Sequence, residues 1–337
     1  KVLLVQLNIP QEAARRLWEQ EAIHVAYEEE TLEALRAIEA RDAARIDEKL
    51  VEGGRIELST PDWIMWPESA LVGRVLRTDD GGWGTWEQNF ETMDRIRADG
   101  EFTLVMGLNE VEGERFDDAL VEKEDGRIWN SLVMFDPDGE LLTYRKAHLV
   151  IFGEYIPLAD ELPILRQIYE QQSGAQYGGA FSKGDRFGPL ETEIDGREVG
   201  LIPSVCFEDT VPRLMRKFVR GGPQLMVNVT NDGWFKDRAA AAQHFANARF
   251  RSIELRRPMV RCANTGVSAA VNAIGSTGHP QELRDGQGNH ITRGWLLAEV
   301  AIPDRPGVSL YAVIRDWGVI GLGLLGWGVG WKLGRRR

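Results

Sequence analysis

The chain has 337 residues, of which 43% are hydrophobic, and carries a net charge of -12. A chain of this length can bury a large core and fits one domain of about 300 residues plus appendages. The acidic balance argues against nucleic acid as a partner. Two cysteines make no disulfide framework, and five histidines show no ligand spacing, so we expect neither a metal nor a cofactor.

Strand and helix signals alternate along the chain. In the first half of the chain we predict a core strand over 1–7, one or two helices over 11–50, a strand over 62–66, a helix over 86–98, a strand over 102–108 and a hairpin ending at 144. A long loop over 152–188 follows. In the second half we predict a hairpin of 190–194 and 198–202, helices over 210–220 and 238–256, and strands over 225–229, 259–263, 267–274 and 296–302. This alternation, with hairpins mixed in, predicts an α/β fold with mixed sheets.

Three motifs place a carboxylate, an ammonium and a thiol beside predicted strand ends. Glu68 follows Trp-Pro, Lys146 follows Tyr-Arg, and Cys206 follows Ser-Val. A thiol with its reference pKa of about 8.5 is only a few per cent thiolate at neutral pH, so a nucleophilic Cys206 needs a base, for which Glu68 is the candidate. Lys146 would stabilise the oxyanion. Each residue alone has a structural explanation, but the combination favours acyl-transfer catalysis.

The residues after Cys206 read as the start of a helix, with Pro212 near its first turn. Helix-terminal N–H groups there would favour a thiolate and bind an oxyanion. Two further acids lie nearby: Glu154 and Glu208 could position Lys146 or receive an amine. For Glu208 an ordinary helix-start charge is the alternative.

A second candidate region is the turn that runs from Asn231 to Phe235. Turn chemistry alone explains Asn231, because Asn readily bonds its own backbone in tight turns. Trp234 and Phe235 would expose aromatic surface that could guide an acyl chain. Cys262 lies in an apolar strand, and we interpret it as structural.

The C-terminal residues 316–337 contain an uncharged run with Trp at both ends, followed by a basic tail. This pattern predicts a membrane helix. The run is short, because 15 helical residues span about 22 Å and a bilayer core is about 30 Å thick. The alternative is an apolar tail packed on a catalytic domain of residues 1–315. A spanning helix would place the C-terminus in the cytoplasm and the body outside, and Lys1 is not a methionine, so we expect further membrane helices upstream.

The order Glu, Lys, Cys resembles the nitrilase, or carbon-nitrogen hydrolase, superfamily. The segments that sharpen this resemblance to the bacterial apolipoprotein N-acyltransferase family are 6–11, 66–68, 144–155, 231–235, 243–258 and 264–268. Residues that depart from the family pattern are Ile151, Phe207 and Lys236, and residues 11–60 look longer than usual. None of these departures touches Glu68, Lys146 or Cys206.

The resemblance implies a four-layer αββα sandwich and a two-step reaction. Cys206 would take an acyl chain from a phospholipid as a thioester and pass it to the α-amine of a diacylglyceryl-cysteine on an apolipoprotein. Glu68 would be the general base, Lys146 the oxyanion stabiliser, Glu154 and Glu208 accessory acids, and Trp234 an aromatic on the acyl path.

The resemblance also implies a monomer in the bacterial inner membrane, with the catalytic domain on the periplasmic side. Two rival interpretations stay open. A nitrilase-type amidase would use the same three residues on a small amide with water as the acceptor, and a non-catalytic lipid-binding protein would not need them together.

Overall fold

The computed structural model of the chain describes residues 1–335 except 13–14, 17, 53–57, 72, 118, 160, 174–180, 195, 236–237 and 279–280. The strands are β1 (Val2–Gln6), β2 (Gln11–Glu12), β3 (Arg15–Arg16), β4 (Trp63–Trp66), β5 (Arg74–Arg77), β6 (Trp83–Gly84), β7 (Thr103–Phe116), β8 (Ala119–Glu122), β9 (Ile128–Phe135), β10 (Leu141–Arg145), β11 (Leu190–Ile194), β12 (Arg197–Val205), β13 (Gln224–Thr230), β14 (Met259–Ala263), β15 (Ala269–Val271) and β16 (Gly294–Ala298).

The α-helices are α1 (Gln20–Glu52), α2 (Glu87–Arg97), α3 (Ile164–Ser173), α4 (Pro212–Met215), α5 (Arg238–Leu255), α6 (Leu310–Ile314) and α7 (Trp317–Gly334). Short 3₁₀ helices cover Cys206–Thr210, Arg216–Phe218 and Asp232–Trp234. The strands and helices alternate as the sequence predicts.

Two mixed sheets form the centre of the fold. The larger sheet has the order β10-β9-β7-β4-β1-β16, with β5 and β8 pairing β7 and β6 pairing β5. Its strands β1, β4 and β7 are parallel, whereas β9 and β16 run antiparallel to their neighbours. The smaller sheet has the order β11-β12-β13-β14-β15, and its three central strands are parallel. The predicted α/β fold with mixed sheets is confirmed.

Alternating side chains show how the layers pack. In β4, Trp63 and Met65 join the core between the two sheets, while Ile64 and Trp66 join a second core with α1 and α2. In β14, the Cys262 thiol donates to backbone oxygens of the larger sheet, so Cys262 faces that sheet. The neighbouring Arg261 points the other way and meets α5. The layers are therefore helices, sheet, sheet and helices, which is the expected αββα arrangement.

Several predicted elements differ from the structure. The predicted strand 102–108 continues to Phe116 as β7, and the predicted loop 152–188 contains α3. The glycine-rich stretch after Glu68 contains β5 and β6, and the predicted helix 210–220 is interrupted into short 3₁₀ and α segments. Pro212 has no backbone N–H and fixes a new helix start, which accounts for the interruption.

The apolar run near the C-terminus forms a helix, α7, and none of its residues is buried. The tail is therefore not part of the core, and the alternative of a tail packed on the catalytic domain stays a prediction. Within the part of the chain that the structure describes, no helix combines the length and the apolar character needed to cross a bilayer. The prediction of a spanning helix over 316–337 is not confirmed, and the end of the basic tail lies outside the described residues.

Candidate active site

The three candidate catalytic residues lie just beyond strand ends. Glu68 follows β4 in a tight turn, Lys146 comes directly after β10, and Cys206 directly follows β12. β4 and β10 end at the same edge of the larger sheet, because β10 is antiparallel to β9, β9 is antiparallel to β7, and β7 is parallel to β4. The structure brings the three side chains together at this edge, where their charges act on one another.

A glycine fixes the turn that carries Glu68. Gly107 in β7 donates its N–H to the Pro67 oxygen over 3.2 Å, and its own oxygen accepts from Ala70 over 3.0 Å. A Cβ atom at Gly107 would lie 2.5 Å from the Glu68 Cα. Only glycine therefore allows β7 to approach the turn this closely.

The Glu68 carboxylate is buried, and its two oxygens differ in their hydrogen bonding. Its Oε1 accepts a hydrogen bond from Asn130 Nδ2 at 2.7 Å. Its Oε2 is a buried atom without a hydrogen-bond partner among the described residues. Burial raises the pKa of Glu68 above its usual range and Glu154 adds to the rise, while the charge of Lys146 and hydrogen bonding to Asn130 and the Cys206 thiol oppose it. Oε2 is thus an available acceptor on a carboxylate of raised basicity, which suits a general base.

Lys146 supplies the positive charge of the pocket. Its side chain is 1% exposed, and Nζ donates to Glu154 Oε1 at 2.9 Å. Burial alone would lower the pKa of Lys146, but the Cys206, Glu68 and Glu154 charges outweigh it and raise the pKa. Lys146 is therefore a permanently charged group beside the thiol.

Asn130 connects the two carboxylates to the lysine. Its Nδ2 donates to Glu68 at 2.7 Å and to Glu154 at 2.9 Å, and its backbone oxygen accepts from the Lys146 N–H at 2.8 Å. Glu154 is further held by the Val150 N–H, which donates to Oε2 at 2.9 Å. Glu154 thus positions Lys146, one of the two roles considered for it. The sequence analysis missed Asn130, since an asparagine inside a hairpin strand carries no local motif.

Cys206 occupies a strained backbone position. Its φ is +52°, in the left-handed region that non-glycine residues rarely adopt. Asn228 holds it there by donating from Nδ2 to the Cys206 oxygen at 3.2 Å. The arrangement turns the chain sharply out of β12, so the thiol lies at the edge where Glu68 and Lys146 meet.

The expected stabilisation of a thiolate by the following helix is wrong. Burial raises the pKa of Cys206, and the charge of Glu68 raises it further, while Lys146 only partly opposes them. The segment that follows is a 3₁₀ helix of five residues rather than a regular α-helix. The resting form of Cys206 is therefore the thiol, and its activation needs a base.

Glu208 is fully engaged in holding the backbone. Its Oε1 accepts from Tyr144 Oη at 2.9 Å and from the Ala147 and His148 N–H groups at 2.8 Å, and Oε2 accepts from the Val205 N–H at 2.9 Å. Burial raises the pKa of Glu208 to about 7, although Lys146 opposes the rise. These contacts join the residues on either side of Lys146 to the strand that ends at Cys206.

The second candidate region combines a buried asparagine with exposed aromatic side chains. The Asn231 side chain is buried and accepts from the Gly233 N–H at 3.0 Å and from Asn264 at 3.2 Å, which fixes the turn. Trp234, Phe235 and Phe207 each leave nearly half of their surface exposed. Asn231 therefore has a structural role, while the aromatic side chains are available for contact with an apolar ligand.

A buried group behind Cys206 was also missed by the sequence analysis. It consists of Asp209, Asp232, His244 and Arg261, which we call the balanced cluster. Its hydrogen-bonded pairs are separated by 12 to 52 residues in the sequence, so no sequence spacing signals it. Among the described residues, no group of His, Cys, Asp and Glu side chains could hold a metal ion.

Solved structures with similar folds share little sequence with this chain. A carbon-nitrogen hydrolase superfamily protein of Xanthomonas campestris is 16% identical, with a TM-score of 0.46 over 96% of this chain and 95% of that one. An amidase from Nesterenkonia sp. is 16% identical, with a TM-score of 0.48 over 94% of this chain and 95% of that one.

Curated relatives are named apolipoprotein N-acyltransferases. One from Treponema denticola is 30% identical over 261 residues, which are 76% of this chain and 45% of that protein. One from Geobacter metallireducens is 40% identical over 157 residues, 46% of this chain and 28% of that protein. The chain thus spans less than half the length of these relatives, and the predicted resemblance to them is confirmed.

The carbon-nitrogen hydrolase family model matches residues 49–287, which include Glu68, Lys146 and Cys206. Since this match covers more than half of the chain, the protein belongs to the carbon-nitrogen hydrolase family.

Proposed function

We propose that the protein is an N-acyltransferase that moves an acyl chain from a phospholipid, through a thioester on Cys206, to the N-terminal amine of a diacylated apolipoprotein. The observation that carries this proposal is the unpaired, buried Oε2 of Glu68 in the same pocket as the Lys146 ammonium and the Cys206 thiol. The names of the curated relatives supply the acceptor class.

The first step forms the thioester. Glu68 Oε2 takes the thiol proton as the sulfur attacks the ester carbonyl carbon of the phospholipid. The carbonyl oxygen becomes an oxyanion, which Lys146 stabilises. When the tetrahedral intermediate collapses, the carbon–oxygen bond breaks, and the departing lysophospholipid oxygen takes the proton from Glu68. The products are lysophospholipid and acyl-Cys206.

The second step passes the acyl chain to nitrogen. The neutral α-amine of the acceptor attacks the thioester carbonyl and gives a proton to Glu68, and Lys146 again stabilises the oxyanion. The carbon–sulfur bond then breaks, and the Cys206 sulfur recovers the proton from Glu68. A raised Glu68 pKa suits both halves of this cycle, since the group must accept and return a proton near neutral pH.

The surface around Cys206 supports a lipid donor. Phe207, Trp234 and Phe235 expose apolar surface beside the nucleophile, and Phe152 and Ile151 expose more in the segment that carries Glu154. Such a concentration of exposed apolar side chains is typical of a membrane or ligand contact. We therefore place the domain of residues 1–315 on the periplasmic face of a bacterial inner membrane, with residues 316–337 as the C-terminal membrane segment.

The proposal is tested by following the product. The protein in detergent is incubated with phosphatidylethanolamine and a synthetic peptide that begins with diacylglyceryl-cysteine, and the peptide mass is measured. We expect the peptide to gain one acyl chain with wild type and with Cys262→Ala, but not with Cys206→Ala.

Release of free fatty acid without peptide acylation, or turnover of small amides without lipid, would favour the amidase. A folded protein that transfers nothing and hydrolyses nothing would instead support the non-catalytic lipid-binding protein. Cys262→Ala is the matched control because its thiol is buried and bonded to the Val5 and Met65 oxygens.

A further inference from the structure

The balanced cluster lies directly behind the nucleophile and is closely bonded. His244 Nδ1 contacts Asp232 Oδ1 at 2.7 Å, and its Nε2 contacts Asp209 Oδ1 at 2.9 Å. Arg261 donates to Asp232 Oδ2 at 3.2 Å and to Asp209 Oδ2 at 3.3 Å. Both carboxylates thus bridge the same two bases, and the four side chains form a closed ring of hydrogen bonds.

The cluster joins four separate elements. Asp209 belongs to the 3₁₀ helix that begins with Cys206, and Asp232 belongs to the turn that carries Trp234 and Phe235. His244 lies in α5, and Arg261 lies in β14. The cluster therefore ties the nucleophile segment to the aromatic turn through one buried imidazole.

Protonated His244 makes the link between these segments ionic. Burial alone would lower the pKa of His244, but the charge of Asp209 and the hydrogen bonds to both aspartates raise it to about 9, against an opposing effect of Arg261. Two cations and two carboxylates then cancel inside the protein, as buried charges require.

The imidazole also contacts the aromatic surface beside Cys206. The centroid of the Phe207 ring lies 6.2 Å from the centroid of the His244 ring, and the centroid of the Phe235 ring lies 6.4 Å from it in an edge-on arrangement. Both phenyl rings are about 44% exposed. One buried ring thus lies against two half-exposed rings, one from the nucleophile segment and one from the aromatic turn.

We propose that His244 is a positioning residue that holds Phe207 and Phe235 as the two walls of an acyl-chain groove, so that it selects long acyl donors without taking part in bond making. This inference rests on the proposed acyl transfer and adds the element that determines acyl-chain preference. Loss of the imidazolium would release the two turns from each other, and the phenyl rings would no longer present a common apolar face to a chain attached at Cys206.

The test compares donors that differ only in chain length. Full-length protein in detergent is assayed with p-nitrophenyl palmitate and p-nitrophenyl acetate, and kcat/KM is measured for each ester. Variants are His244→Gln, which keeps a hydrogen-bonding side chain, and Phe235→Ala, a change at a half-exposed site that leaves the buried ring of hydrogen bonds intact. The matched control is Phe116→Ala, an exposed phenylalanine at the end of β7.

We expect the palmitate-to-acetate ratio to fall roughly tenfold or more in His244→Gln and in Phe235→Ala, mainly through KM for palmitate, because a displaced wall misplaces the long chain. The ratio in Phe116→Ala should equal that of wild type. An unchanged ratio in Phe235→Ala, or an equal loss with both esters in a folded His244→Gln, would overturn the inference.

The same experiment separates this inference from the proposed function. A wild-type protein that accepts the palmitate ester but takes no acyl chain from phosphatidylethanolamine would contradict the phospholipid donor, while the ester ratio would still decide the role of His244. Failure of wild type to be acylated by either ester would overturn both.

Discussion

The protein buries two groups of charges on either side of Cys206, and they are built in opposite ways. The reaction pocket, which we define as Glu68, Asn130, Lys146, Glu154 and Cys206, leaves Glu68 Oε2 without a partner among the described residues and raises the pKa of both Glu68 and Cys206. The balanced cluster pairs two carboxylates with two cations, and its aspartate Asp232 has a lowered pKa.

This difference indicates that the reaction pocket serves the chemistry and that the balanced cluster supports the fold around it. A buried polar atom without a partner costs about 1–3 kcal/mol, and in the reaction pocket the atom that bears this cost is on the proposed base. In the balanced cluster every charge has a partner, which stabilises the arrangement but leaves no atom free to move a proton. The comparison predicts that substitutions in the pocket remove transfer of every acyl donor, whereas substitutions in the cluster lower stability and alter acyl-chain preference without removing the chemistry.

The largest expected effect is that of Glu68→Gln. The amide is nearly isosteric with the carboxylate but cannot accept the thiol proton, so we expect kcat for acyl transfer to fall by about 10²–10⁴-fold. The free energy of unfolding should change by less than about 1 kcal/mol, because the substitution removes a buried charge whose ionised form is disfavoured. Acyl-transfer assays and urea unfolding measure the two quantities.

Alkylation of Cys206 by iodoacetamide gives an independent check on Glu68→Gln. The Glu68 charge raises the pKa of Cys206 and Lys146 lowers it, so the variant thiol should be alkylated at lower pH than the wild-type thiol. A variant that keeps full transfer activity would contradict the role given to Glu68.

A smaller effect, on stability, is expected for Asp232→Asn. This change leaves His244 and Arg261 sharing one carboxylate inside the protein, and breaking a buried ion pair typically costs about 3–5 kcal/mol. Urea unfolding of the variant beside Glu68→Gln is the direct comparison. Equal stability of the two variants would remove the distinction between the pocket and the cluster.

The smallest expected effect is the pH dependence that His244 contributes. Its pKa is raised from about 6.5 in the unfolded chain to about 9 in the fold, so its stabilisation is complete below pH 6.5 and is lost as the pH rises through 9. The contribution is of order 3 kcal/mol. Asp209, Asp232 and Arg261 face the imidazole.

The measurement is the difference in unfolding free energy between wild type and His244→Gln from pH 6 to pH 10. This difference should be largest near pH 6, decrease between pH 6.5 and pH 9, and level off above pH 9. A difference that is constant over the range would mean that His244 is neutral in the fold.

Much of the fold could be predicted because local pattern specifies it. The apolar run of β4 and the residues of β14 are recognisable as buried strands from composition alone. By contrast, β5 has charged residues at both ends and lies in a glycine-rich stretch, and it forms by pairing with the distant part of β7. The helix α3 was missed for a similar reason, because most of the surrounding segment carries glycine and irregular signals.

The residues of the site also divide into those that local sequence predicts and those that it does not. Glu68, Lys146 and Cys206 each follow a recognisable strand, so their convergence could be inferred once strand ends and residue order were considered together. Asn130 and His244 could not be found, because their roles depend on contacts with residues from 12 to 62 positions away that leave no local motif. The raised pKa of Cys206 could not be predicted either, because it depends on how the fold buries the thiol.

The most direct test of the account is the intact mass of the detergent-solubilised protein after incubation with a defined phosphatidylethanolamine and no acceptor. We predict an added mass of one acyl chain that hydroxylamine removes, present in wild type and Cys262→Ala and absent from Cys206→Ala. A folded wild-type protein whose Cys206 reacts with iodoacetamide but gains no acyl chain would contradict the thioester mechanism.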